Sequence, residues 1–146
     1  MATLDDLERV ARASMLGSQG DRSAARGLLD DAWAAAADGP ALLRCAVAHA
    51  LADVQDDLDD EQAWDERALA EAGAAAAEPV PEGMPPVAVL LPSLHLNLAE
   101  VHRRRGRTAS ARAHVARGRT ALADLTADAG QPHIAEALDR VEAALG

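Results

Sequence analysis

Apolar residues recur at helical intervals along one stretch of the chain after another. Between residues 94 and 122, Leu94, Leu98 and Val101 form one stripe, and Ala111, Val115, Gly118 and Leu122 form a second. Gly106 separates the two. The turn before it carries Arg103, Arg104 and Arg105, cations that complement the C-terminal end of a helix, and Thr108 is placed to cap the helix that follows. The spacing predicts a helical hairpin. Upstream, Leu4, Leu7, Val10 and Ala11 predict a first helix to about Leu16, broken by residues 17–20. Asp21 can cap a second helix, which runs to about Ala37. Pro40 is placed to open a third, with Leu42, Leu43, Val47, Leu51 and Val54 apolar, and a fourth spans about Asp60 to Ala77. Residues 78–86 hold four prolines and a glycine without apolar periodicity and predict a loop that is mobile and dispensable. Val87 to Leu91 reads as a lead-in turn before Pro92. A last helix covers about His133 to Leu145, with Ile134, Leu138, Val141 and Leu145 on one face.

Two antiparallel helices approach closely only where the facing side chains are small, and small residues mark such crossing points at fixed intervals here. Ala99, Gly106, Ala111 and Gly118 give one set, and Ala13, Gly20, Ala25 and Ala32 repeat it with the same spacing. A third set, Ala52, Asp59, Ala63 and Ala70, fits if its turn is one residue shorter.

This ruler resembles the tetratricopeptide repeat, a helix-turn-helix unit of about 34 residues with small residues at corresponding places. The resemblance implies an all-α fold, a right-handed α-α superhelix of three helical hairpins with a C-terminal capping helix, in a single domain over 1–146. Repeat one lies at about 4–37, repeat two at about 40–77, the Pro-rich loop at 78–86, repeat three at about 87–127 and the capping helix at about 132–145. It also implies a concave groove lined by the first helix of each repeat. Carried onto this chain, the groove holds His49, Asp53, Asp56 and Asp57 from repeat two, and Leu96, Asn97, Glu100, Arg103 and Arg104 from repeat three. Asn97 looks like the asparagine of family members that clamp a peptide's C-terminal carboxylate; Ala11 and Ala50 stand at its equivalent positions, and the clamp lysines have no counterpart. Side-by-side stacking would set Asp56 and Asp57 opposite Arg103 and Arg104.

Composition narrows the partners. All fourteen basic residues are arginine, there is no Phe or Tyr, and the formal net charge is −10, which disfavours general nucleic-acid binding. No stretch approaches the ~20 apolar residues of a membrane span, and the acidic first ten residues lack a secretory pattern, so a soluble, cytoplasmic protein is expected. The lone Cys45 excludes an internal disulfide and reads as a buried thiol. No nucleotide loop, nucleophile elbow or metal-protease motif occurs, so the expectation is a non-enzymatic protein-protein interaction module without a cofactor or bound metal, holding a peptide or protein segment in the groove. Two alternatives remain open: a small-ligand or metal-binding helical domain using His49, Asp53, His95 and Glu100, and a self-associating homodimer scaffold.

Overall fold

The computed structural model describes residues 2–146, apart from the side chains of residues 2–4 and 128; that of Leu4, counted in the first stripe, lies outside the described ones. The described residues form seven α-helices and no strand: α1 Ala2–Ser18, α2 Arg22–Ala35, α3 Ala41–Asp53, α4 Leu58–Ala75, α5 Leu91–Arg104, α6 Thr108–Ala123 and α7 Pro132–Ala144. Alanine and arginine are among the strongest helix formers, and an all-α fold is the outcome their abundance dictates. The sequence predicts one domain over 1–146; packing gathers the chain into two compact units, one ending at Pro85 and one spanning Pro86–Gly146.

In the first unit α1 and α2 form one hairpin and α3 and α4 another. The first turn is built as its sequence dictates. Gly20 takes a positive φ of 89°, the Asp21 amide donates back to the Leu16 carbonyl at 2.9 Å, and Asp21 Oδ1 accepts from the Ala24 amide at the start of α2. Ala13, Ala25 and Ala32 are fully buried at the crossing. The second hairpin corrects the expected register. Ala63 and Ala70 are exposed, and the same seven-residue interval is buried two places later, at Asp65 and Ala72. Four residues, 54–57, join α3 to α4, against three, 19–21, between α1 and α2, so the turn is longer by one residue rather than shorter. Asp57 explains the difference: its Oδ1 accepts from the Asp59 and Asp60 amides and starts α4 at Leu58, two residues earlier than the charge run suggests.

The Pro-rich segment is anchored, contrary to the expectation of a dispensable loop. Pro40 precedes α3 and has no side-chain oxygen to satisfy the first free amides, and Glu78 supplies one from a distance, accepting from the Ala41 amide at 2.9 Å. Met84 is buried as well. Around the same hairpin Arg44 and Arg67 converge on the buried carboxylate of Glu71, and Trp33 and Trp64 meet edge to face with their ring centres 5.1 Å apart. Cys45 is fully enclosed; burial, and then the charge of Glu71, push its thiol up to about 12, so it stays protonated and inert.

The second unit packs α5, α6 and α7 on one another. Leu94, Leu98, Ala99 and Val101 of α5 are buried with Ala111, Val115 and Gly118 of α6 and with Ile134, Leu138 and Val141 of α7. Gly106 turns the chain with φ 73°. Thr108 does not cap α6 as expected: it is the helix's first residue, and Arg107 precedes it without a side-chain cap bond. Val87–Val89 form the short lead-in turn before α5, and Gln131 Nε2 donates to the Val89 carbonyl at 2.8 Å, tying the start of α7 to that turn. Among the described residues no helix is long and apolar enough to cross a membrane.

Candidate functional site

The second unit carries a groove of about 520 Å³ between α5 and α7. Leu96, Ala137, Val141 and Ala144 make its apolar floor, and Asn97, Glu100, Arg103 and Arg140 stand at its rim. The α5 contribution follows from helical phase. With Leu94, Leu98 and Val101 turned into the core, positions 96, 97, 100 and 103 share an adjacent face of the same helix. These are four of the positions expected to line a groove in this region. The α7 wall is not anticipated by the sequence, because its apolar stripe predicts burial without saying which neighbour leaves part of it uncovered.

Glu100 is held by its own helix. Arg103 grips it bidentately, Nε to Oε2 at 2.8 Å and Nη2 to Oε1 at 2.5 Å, and Arg104 Nε lies 3.7 Å from Oε1. The Arg103 hydrogen bonds, followed by the charges of the same two arginines, hold the Glu100 carboxyl below the usual carboxylate range, so it is ionised at neutral pH. Arg140 forms no salt bridge among the described residues, which leaves an uncompensated cation beside the apolar floor.

The remaining expected site residues lie elsewhere. His49 and Asp53 are on α3 in the first unit, where Asp53 borders a hollow of about 170 Å³ with Ser14, Arg22 and Ala50. Asp56 is exposed and bound by Arg22, Nε to Oδ1 at 3.0 Å, and by Arg26 at 3.3 Å, which lower its pKa; Asp57 is the α4 cap. The expected match of Asp56 and Asp57 to Arg103 and Arg104 therefore meets groups that already have partners within their own unit. His95 and Glu100 do not converge: five residues apart on a helix they point about 140° apart, Glu100 into the α5–α7 groove and His95 toward α6. No three His, Cys, Asp or Glu side chains among the described residues are grouped as a metal ion would require.

Three of the five histidines gather between α5 and α6 instead, a cluster hidden in the sequence because the i, i+7 phase of His95 and His102 shows a shared face only once the partner residue on α6 is known. His95 Nδ1 lies 3.1 Å from His114 Nδ1, and the His102 and His114 rings lie parallel within 5° at 5.4 Å. Burial, and then the charge of Arg117, hold the His95 pKa below the ordinary imidazole range. For His49 burial also lowers it, opposed by Asp53.

The direction of these shifts fixes a pH dependence. Below about pH 6.5 the unfolded chain takes up protons at these imidazoles before the folded chain does, so stability is full above that value and falls as the pH drops through the folded pKa values. Urea denaturation at pH 7.5 and 5.5 is expected to show a lower midpoint at 5.5, and a double His49→Gln, His95→Gln variant a smaller difference. Equal wild-type midpoints at the two pH values would contradict the shifts. The depressed carboxyls Asp56 and Glu100 act in a separate, more acidic window, below their ordinary values.

Charge is divided unevenly between the units. Residues 1–85 carry six arginines against eighteen carboxylates, a balance of −12, and residues 86–146 carry eight against six, a balance of +2. The groove with the uncompensated arginine thus belongs to the less acidic unit. No family model matches the chain, and no curated protein and no solved structure matches it either.

Proposed function

We propose that this protein is a non-enzymatic interaction module, arranged like a tetratricopeptide-repeat superhelix with α7 as its cap, and that the α5–α7 groove binds a short protein segment combining an apolar residue with an acidic one. The observation that carries the reading is the groove itself: an apolar floor between two helices, bordered by Asn97 and by arginines, one of them without an ion-pair partner among the described residues. An apolar side chain on that floor would displace water from Leu96, Ala137, Val141 and Ala144. An Asp, Glu or terminal carboxylate on the segment would meet Arg140, the groove arginine that is not engaged by Glu100, and the positive balance of the unit favours approach of such a partner.

Selection of short random peptides displayed against the full chain tests this. Enriched sequences are expected to pair an apolar residue with Asp or Glu. Ala137→Trp, which fills the groove, is expected to abolish their binding, and Arg140→Glu to weaken it by about tenfold or more. Enriched peptides that bind both variants as well as the parent would show that this groove is not the site.

A further inference from the structure

On the other side of α5 a second groove, of about 340 Å³, runs between α5 and α6 and is lined by Leu91, His95, Ala116, Arg117, Thr120 and Asp124. Its histidine is held in an unusual way. The centres of the His95 and His114 rings are 5.4 Å apart, which equals the 3.1 Å between their Nδ1 atoms plus the two ring radii. Both Nδ1 atoms therefore lie on the line joining the rings, and the imidazoles meet end to end. Their lone pairs aim at each other rather than converging on a third point, so the pair is a hydrogen bond and not a metal chelate. One Nδ1 donates and the other accepts. Whichever way the proton lies, the bond fixes the orientation of His95 and leaves its Nε2 on the far side of the ring, where no group among the described residues holds it.

Arg117 and Thr120 on α6 and Asp124, the residue that ends it with helical backbone, follow one another on one face at intervals of three and four residues, a cation, a hydroxyl and an anion along about 10 Å. Neither Arg117 nor Asp124 forms a salt bridge among the described residues, although the Arg117 charge acts on His95. Cation and anion at opposite ends of an apolar trough lined by Leu91 and Ala116 match a molecule with the reverse polarity.

We propose that this groove binds a small linear zwitterion, an ω-amino acid or a ligand ending in the same groups, with its carboxylate between Arg117 and His95 Nε2–H, its apolar chain along Leu91 and Ala116, and its ammonium at Asp124. In this arrangement His95 donates from Nε2 and accepts at Nδ1 from His114, so His114 is a positioning residue that selects the tautomer of the ligand-binding imidazole. The volume is at the lower end for small-molecule sites and suits a chain of a few methylenes.

The test uses three probes on the full-length chain: 6-aminohexanoate, hexanoate and hexylamine, with binding followed by amide chemical shifts and calorimetry at pH 7.5. 6-Aminohexanoate is expected to shift amides of residues 91–95 and 116–124 saturably and to bind at least about tenfold tighter than either single-charge probe, the loss of one charged hydrogen-bond partner. Arg117→Gln and Asp124→Asn, both surface changes, should each reduce 6-aminohexanoate to the single-charge level. His114→Phe should weaken it and change the 15N shifts of His95 that report its tautomer. Equal affinity for all three probes, shifts confined to the α5–α7 groove, or no saturable shift with the unchanged chain would each overturn the proposal.

Discussion

Replacing Ala111 or Ala99 with leucine is expected to destabilise the second unit by about 1–3 kcal/mol. Both positions are fully buried where α5 and α6 cross, and neither offers space for three more carbons. The added side chain must either adopt a strained rotamer or push the helices apart, which would also strip Leu98 and Val115 of close contacts. Thermal unfolding followed by circular dichroism should show each variant melting several degrees below the parent. Ala13→Leu, in the first hairpin, should suffer as much, since Ala13 is equally enclosed despite lying in the first helix. A melting temperature unchanged by Ala99→Leu and Ala111→Leu together would mean that the helices do not cross at these residues.

Truncating Leu138 to alanine should cost more, about 2–5 kcal/mol. Leu138 is the fully buried centre of the α7 contact, clustered with Ala99, Val115, Ile134 and Val141. Opposite it α6 presents Gly118, where an added methyl would come within 3.1 and 3.2 Å of the two Leu138 methyl carbons. Glycine therefore leaves no side chain that could swing into the cavity. Hydrogen exchange should show lost protection concentrated in α7 and the α5 and α6 faces beneath it, with α3 and α4 unchanged. The pair also predicts a coupling. Gly118→Ala alone gains helix propensity of about 1 kcal/mol but presses on Leu138, whereas in the Leu138→Ala background the methyl has room. The double variant should be more stable than the sum of the two single effects, and simple additivity would mean that the two residues do not touch.

The sequence by itself determined the helices and most of their ends. Apolar periodicity, Gly20, Asp21, Pro40 and Gly106 act within a few residues of where they stand, and local signals of this kind are readable without a partner. Burial of Ala13, Ala25, Ala32, Ala99, Ala111 and Gly118 was legible for the same reason, as a regular interval of small residues. The register of the second hairpin was not, because alanine is so common in α4 that several registers fit equally well; only packing selects Ala72, together with a buried Asp65 that no rule of small residues would choose. Tertiary structure alone decided what lies opposite what. Glu78 reaches the amide of Ala41 across 37 positions, Asp56 finds Arg22 and Arg26 on α2, and His95 meets His114 on α6. The α5 wall of the groove was implied by the resemblance to a helical repeat and agrees with helical phase, but the α7 wall was not, because the phase of a helix fixes which side chains point together and the docking of a second helix fixes what they face.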